Sequence, residues 1–312
     1  MNQQTKYAFL FPGQGAQAVG MGLELYKESN VAKTIFDSID QSLGRSLTKI
    51  MFEGPEDELR ETINAQPAIM AVSLACLHAM RSELGESFLS SPSMMAGHSL
   101  GEYSALAASG VLSVSEASLL VQKRGELMQL ACDQNPGTMA AILGMNQEDI
   151  IEIAESSGTY VSNINTQEQI VISGEKEKIQ TAMDMASEKG AKRVIPLNVG
   201  GAFHSGLMGP AKDGLAAAVE SVEFFNSTVP IIANCSAKPI YDSSDIKDEL
   251  ITQISGCVNW RQTIEYMIDQ GVTDFYEIGP GRALSGMVKK INKEMNTYNV
   301  SDLASIRELK NS

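Results

Sequence analysis

Gly97-His98-Ser99-Leu100-Gly101 constrains this chain more than any other stretch. It follows a short apolar run, Met94-Met95-Ala96, and precedes a helical pattern over residues 102–108. A serine between two glycines at a strand-to-helix junction is the pattern of a nucleophile elbow. Only glycines let the flanking backbone pack through so tight a turn. The turn lifts the serine Oγ above the sheet edge, and the N–H groups of the following helix face outward to meet a developing oxyanion. A glycine-rich strand–helix turn without chemistry is the alternative reading, so the rest of the chain must decide.

At 312 residues, 43% hydrophobic and 20% charged, the chain has the proportions of an ordinary globular protein with one large domain and a smaller companion. No apolar run approaches the roughly 20 residues needed to span a bilayer. Residues 1–6 are polar and carry no signal-peptide plan. Cys76, Cys132, Cys235 and Cys257 are scattered without metal-ligand spacing, as reduced cysteines of a cytoplasmic protein would be, and no metal is expected. Cys76, in an apolar run, reads as core. A formal net charge of −14 argues against nucleic acid and against an anionic membrane as the main partner. It leaves room for an acidic partner where cations gather, and Lys289, Lys290 and Lys293 form such a cluster, or else a solvated helix face.

The order of elements points to an α/β protein. A strand at residues 7–11 leads through a glycine turn to helices at 20–28 and 31–43, then 57–64 and 67–83. The short strand 94–96 enters the elbow, and Ser113 with Glu116 forms a capping box for the next helix. From residue 138 the texture changes. Strands at 138–143, 160–164, 169–173 and 192–197 alternate with helices at 147–156 and 175–189 in the order β-α-β-β-α-β, which is ferredoxin-like. Further helices follow at 210–222, 246–254, 260–270 and 283–293, with strands at 231–234 and 274–278. The expected architecture is an α/β-hydrolase-like parallel-sheet core (residues 1–134 and 200–312) with an inserted ferredoxin-like small subdomain (135–199).

Several side chains could share the chemistry of Ser99. Gly13-x-Gly15-x-x-Ala18 formally fits a dinucleotide fingerprint, but the nearest acid, Asp37, lies in a helical pattern with no strand before it. The other reading places Gln14 beside the elbow, at the carboxyl edge of one parallel sheet. The chain has three histidines. His78 sits mid-helix among apolar residues, and His98, adjacent to Ser99 in a sharp turn, points away from its Oγ and suits a structural or secondary polar role. His204 lies in Gly200-Gly201-Ala202-Phe203-His204-Ser205-Gly206, a loop that presents a functional side chain or merely exposes one. Ser99 followed by His204 matches the chain order of a hydrolase-type site. No acid stands out to orient the imidazole, so a backbone carbonyl or an amide such as Gln253 is the candidate. Arg124, on the helix after the elbow, is a surface arginine by default; in an acyl-transfer site it would bind a carboxylate-bearing acyl group bidentately.

Taken together, Phe11-Pro12-Gly13-Gln14-Gly15, Gly97-His98-Ser99-Leu100-Gly101-Glu102-Tyr103, Gln122-x-Arg124-Gly125, Ala202-Phe203-His204-Ser205 and Glu277-x-Gly279-Pro280-Gly281 resemble the malonyl-CoA:acyl carrier protein transacylases, the acyltransferases of fatty acid and polyketide synthesis. The resemblance runs from about Tyr7 to Ile291. It implies that Ser99 is the nucleophile, His204 the general base oriented by a carbonyl at the position of Gln253, and the N–H groups of Gln14 and Leu100 the oxyanion hole. Arg124 would clamp the malonyl carboxylate, and Phe203 would disfavour an α-methyl group. Malonyl-CoA would be the substrate with no further cofactor. The partner would be an acyl carrier protein, discrete or within a polyketide synthase, docking on Lys289 and Lys290. Two departures stand out. Gly256-Cys257-Val258-Asn259 replaces the usual Asn-Pro-Val-Gln or Asn-Pro-Val-Arg before Trp260, and Gly201 stands where many polyketide malonyl transferases carry His. An acyl-thioester hydrolase and a non-catalytic docking module are the alternatives.

Overall fold

A computed structural model describes residues 6–85 and 91–310. The polar lead before the first strand, apart from Lys6, lies outside the described residues. The strands among the described residues are β1 (Lys6–Phe11), β2 (Met94–Gly97), β3 (Thr138–Leu143), β4 (Tyr160–Thr166), β5 (Gln169–Gly174), β6 (Arg193–Pro196), β7 (Ile231–Ile232), β8 (Pro239–Ile240), β9 (Val272–Ile278) and β10 (Asn296–Val300). They form a six-stranded sheet in the order β10-β9-β1-β2-β7-β8 and a four-stranded sheet in the order β4-β5-β3-β6. In the larger sheet every pair is parallel except β7 with β8.

A parallel sheet covered on both faces needs continuously apolar central strands, and Ala8, Phe9, Leu10 and Phe11 are all fully buried. Phe9 and Phe11 join the core under helices Asn30–Leu43 and Thr62–Leu84, while Ala8 and Leu10 face Trp260 and Phe275 on the other side. Helix Asn30–Leu43 buries Ala32, Ile35, Phe36, Ile39 and Leu43, the stripe its spacing predicts, and is bounded by the Ser29 cap and left-handed Gly44. Helix Thr62–Leu84 is long and apolar enough to cross a membrane, but 89% of its most apolar window is buried inside the protein.

The smaller sheet is antiparallel throughout. Alternation along its strands splits its two faces. Ala140, Ile142, Ile170 and Ile172 pack under helices Gln147–Ser157 and Lys176–Glu188, while Met139, Ala141 and Val171 join the main core. Strand β4 is also stitched to the segment before helix Trp260–Asp269, by Ile164 N–H to the Val258 carbonyl (2.9 Å) and Val258 N–H to the Ser162 carbonyl (2.9 Å).

The structure departs from the expected elements in particular places. Expected helices at 57–64 and 67–83 are Glu56–Arg60 and Thr62–Leu84, the latter with Pro67 inside it instead of at its start. Helix Leu47–Glu53, strands β8 and β10, and helix Leu303–Lys310 were not expected. Asp37 lies within helix Asn30–Leu43, paired with Lys33 and Tyr26, so no acid-ended second strand follows Gly13-x-Gly15.

Candidate active site

Strands β1 and β2 run side by side, with Phe11 opposite Gly97, so the turns that follow them meet at the carboxyl edge of the sheet. Ser99 sits in the elbow with φ +54°, a left-handed conformation that costs a non-glycine residue about 1 kcal/mol or more. A side chain on Gly97 would run into the backbone of Gly101, and one on Gly101 into the Phe11 carbonyl. The glycines are therefore required by close approach, and the turn holds Ser99 where its Oγ lines a cleft of about 390 Å³. Gln14, Leu100, Arg124, Phe203 and His204 line the same cleft, together with Met139, Asn163, Asn165 and Val171 from the smaller sheet.

His204 lies 105 residues beyond Ser99, yet its Nε2 is 2.7 Å from Ser99 Oγ. It is not an exposed loop residue: it is 4% accessible and, like Ser99, has φ +54°. Its Nδ1 lies 2.9 Å from the Gln253 carbonyl and 3.1 Å from the Gly256 carbonyl. Carbonyls only accept, so Nδ1 carries the proton and Nε2 is left with a lone pair toward the Ser99 hydroxyl. Burial, with the Arg124 charge adding to it, depresses His204 to about 3. The imidazole is thus neutral and ready to take a proton. The departure at residues 256–259 leaves this orienting role intact, because it depends on main-chain oxygens.

Arg124 is the clearest correction to the default reading of a surface residue: it is 1% accessible. Its Nη1 donates to Gln66 Oε1 (2.6 Å), and its Nη2 donates to Gln253 Oε1 (2.8 Å) and Ser99 Oγ (3.2 Å). Nε has no partner among the described residues, so donor capacity remains. Burial lowers its pKa, opposed by Tyr103 and Glu102. No carboxylate touches the guanidinium in these contacts; its partners are neutral amides and a hydroxyl. A buried cation held this way retains its charge for an incoming anion.

Gln253 does not line the cleft. Its carbonyl faces His204, its Oε1 faces Arg124, and its Nε2 donates to the Ser99 carbonyl (2.8 Å) and to Glu102 Oε2 (2.8 Å). Gln14 Oε1 accepts from Thr62 Oγ1 (3.1 Å), which in turn accepts from Gln66 Nε2 (2.7 Å), tying the first glycine turn to the arginine. Asn234 and Gln66, which sequence reasoning missed, complete the frame: Asn234 Oδ1 accepts the Ser99 N–H (2.7 Å). His98 turns away from Ser99 and meets Asn165 Oδ1 (2.9 Å), its expected secondary polar contact, and His78 is half-buried in its helix. Burial, with Glu249 nearby, pushes the Glu102 carboxyl well above the usual range, while amide donors from Asn234 and Gln253 pull it down.

Gly201 also acquires a reason. A side chain there would collide with the Cys132 thiol, so the cysteine fills the space a histidine would need. Glu277, part of the last motif, is wholly buried and accepts from Leu284 N (3.1 Å) and Ser285 N (2.7 Å), anchoring the helix Ala283–Ile291 at its N-terminus. On that helix Ala283, Leu284 and Met287 line the cleft, while Lys289 and Lys290 are exposed beyond its rim. Arg60 also lines the cleft. Among the described residues no group of three or more His, Cys, Asp or Glu side chains gathers as a metal ion would require.

The acyl transferase domain family matches residues 8–311. The chain is 45% identical over 307 residues to the malonyl CoA-acyl carrier protein transacylase of Bacillus subtilis, covering 97% of this chain and 95% of that one. It is 39% identical over 291 residues to the enzyme of the same name from Escherichia coli, covering 92% and 93%. Among solved structures, the acyl-carrier-protein-S-malonyltransferase from Bartonella henselae superposes with a TM-score of 0.94 at 41% identity, covering 97% of this chain and 98% of that one. A malonyl-transacylase in complex with its type II PKS acyl-carrier protein superposes with a TM-score of 0.94 at 38% identity, covering 99% and 100%. The match over residues 8–311 and a mixed α/β frame shared with these relatives over nearly its whole length point to one lineage: this chain is a member of the acyl transferase domain family.

Proposed function

We propose that the protein transfers a malonyl group from malonyl-CoA to the phosphopantetheine thiol of an acyl carrier protein, by a ping-pong route through a Ser99 ester. The observation that carries this reading is the meeting of three groups at one atom. Ser99 Oγ lies 2.7 Å from His204 Nε2 and 3.2 Å from Arg124 Nη2, with the arginine otherwise held by the Gln66 and Gln253 amides and the Tyr103 ring. A neutral acyl chain has no use for a buried cation, whereas a carboxylate beside the scissile thioester does.

In the first half-reaction His204 Nε2 takes the Ser99 proton as Oγ attacks the thioester carbon. The tetrahedral oxyanion is met by the N–H groups of Gln14 and Leu100. The C–S bond then breaks, and coenzyme A leaves with the proton from His204. In the second half-reaction the carrier thiol gives its proton to His204 and attacks the ester carbon, and the C–O bond breaks to return Ser99. The thioester supplies the activation, so no metal or cofactor beyond the substrate takes part. Phe203, 6% accessible and lining the cleft, disfavours an α-methyl branch.

The sheet orders support a hydrolase-like core over 1–134 and 200–312 and a ferredoxin-like small subdomain over 135–199, with the cleft between them. A cytoplasmic location fits four free cysteines and a chemistry that uses coenzyme A thioesters. Intact mass after brief mixing with malonyl-CoA tests the reading. The wild-type protein gains one malonyl group, Ser99→Ala gains none, and Arg124→Ala loads malonyl about a hundredfold more slowly while gaining on acetyl. An adduct absent from the wild type rules the route out, and an adduct released as free malonate at the same rate with or without carrier protein makes the enzyme a hydrolase.

A further inference from the structure

The Ser99 peptide is gripped on both sides by side chains that do not line the cleft. Asn234 presents its Oδ1 to the Ser99 N–H (2.7 Å), and Gln253 presents its Nε2 to the Ser99 carbonyl (2.8 Å). Each amide is two-ended, and reversed it would set like against like. Two acceptors fix Asn234, the Gly97 carbonyl (2.7 Å from its Nδ2) and Glu102, and Glu102, 1% accessible, is the group that Asn234 and Gln253 share. Its Oε1 accepts from Asn234 N (3.0 Å) and Asn234 Nδ2 (3.1 Å), and its Oε2 accepts from Gln253 Nε2 (2.8 Å). Every one of these contacts is a donor aimed at the carboxyl group. With both nitrogen ends drawn to Glu102, Asn234 turns its oxygen to the Ser99 N–H. Gln253 likewise turns its oxygen to Arg124 Nη2 (2.8 Å).

We propose that Glu102 is a positioning residue for acyl transfer. By accepting from both at once it orients Gln253 and, together with the Gly97 carbonyl, Asn234, and through them it holds the strained Ser99 peptide and the Arg124 guanidinium in register. The inference rests on the roles of Ser99 and Arg124 proposed above. Glu102 touches neither substrate nor reacting atom. A glutamine at this position has the same shape but offers an NH2 where an acceptor is needed. One of the two amides must then turn over, and the turn at Gln253 places a donor against the Arg124 donor.

The test compares Glu102→Gln with Asn234→Ala, which removes the arm to the Ser99 N–H together with that side chain's bonds to Gly97 and Glu102 but leaves the Gln253 arm in place. Three readouts are taken: single-turnover malonyl and acetyl loading, labelling of Ser99 by a small neutral phosphonyl fluoride, and the thermal melt. Glu102→Gln is expected to melt cooperatively, to slow malonyl loading and phosphonyl labelling together by about ten- to a hundredfold, and to lose part of the preference for malonyl over acetyl. Asn234→Ala is expected to slow both reactions of Ser99 while keeping that preference, because Gln253 and Arg124 stay held. A purely structural role lowers the melting temperature without separating the variants this way. Loading by folded Glu102→Gln within about twofold of wild type overturns the proposal, as does a slowed Glu102→Gln whose malonyl preference is unchanged. If Glu102→Gln does not fold, Asn234→Ala decides: phosphonyl labelling at the wild-type rate overturns the proposal. A wild-type protein that reacts with the phosphonyl fluoride but never with malonyl-CoA instead breaks the functional reading beneath it.

Discussion

Burial and the neighbouring Arg124 charge depress His204 to about 3, against an ordinary value of 6.5. The proton count fixes the sign of the consequence. Between those values the unfolded chain binds a proton at this residue and the native state does not, so this site makes stability fall as pH drops from about 6.5 toward 3, by up to about 1.4 kcal/mol per pH unit. The same depression keeps the base neutral. Malonyl loading of Ser99 is therefore expected to stay level as pH falls from about 8 to about 5. Single-turnover loading across that range checks it, and a rate that halves near 6.5 would show His204 titrating as if exposed. Ser99 was legible in the sequence from its own glycine-flanked turn, whereas the His204 loop by itself left mere exposure open, and the chain order and the family resemblance pointed to it. The burial of Arg124 was not legible from its own helix, since Lys123 and Glu126 beside it pair with each other on an exposed face. Asn234 and Gln66 were illegible for a different reason. They act on Ser99 and Arg124 across 135 and 58 residues of chain, and nothing in their immediate surroundings separates them from ordinary polar residues.

At the scale of elements, the sequence marks boundaries well where the signal is local. Ser113 and Glu116 form both halves of their capping box. It marks them poorly where a distant group repairs a local fault. Pro67 looks like a helix start because it has no N–H to give the carbonyl one turn back. In the fold that carbonyl, on Ile63, accepts from Arg45 Nη2 (3.1 Å), and Arg45 also bonds Asn64 Oδ1 (2.5 Å) and Gln122 Oε1 (3.4 Å). The arginine lets helix Thr62–Leu84 run through the proline. Arg45→Ala is expected to destabilise the protein by about 1–3 kcal/mol, because the Ile63 carbonyl and the Asn64 amide lose their donor together. Arg45→Lys recovers only part, since an ammonium lacks the fork. Denaturant unfolding measures both, and an unchanged midpoint for Arg45→Ala would mean that water satisfies Ile63 instead. Strand β10 escaped notice because Asn296, Thr297, Tyr298 and Asn299 give no apolar alternation. It is an edge strand, and only Val300 is fully buried.

Across the whole molecule, the alternation of strands and helices and the change of texture near residue 138 were both visible in the sequence. What places the cleft, the meeting of two sheets, was not. Met139 and Val171 reach it from the smaller sheet because strand alternation turns them to that face, and Val258 ties that sheet to the segment whose Gly256 carbonyl orients His204. A net charge of −14 sets the remaining problem for the proposed function, since an acidic carrier would have to approach an acidic protein. Favourable approach needs a local reversal of sign, and helix Ala283–Ile291 offers one at the mouth. Met287 lines the cleft, and Lys290 lies three positions on, along the same helix face. Lys289 bends toward the helix end, its Nζ donating to the Lys293 carbonyl (3.4 Å). Reversing both charges, with Lys289→Glu and Lys290→Glu together, is expected to lower kcat/KM for the carrier protein about tenfold at low salt. The loss should shrink as salt rises, because exposed charges are screened beyond about 10 Å at 0.1 M. Loading from malonyl-CoA, whose acyl end the proposed function seats at Arg124, should suffer less than transfer to the carrier. Carrier kinetics that match the wild type at every salt concentration would move the docking surface elsewhere on the rim. Arg60, lining the cleft and lying 2.8 Å from Asp57, would then be the next cation to reverse.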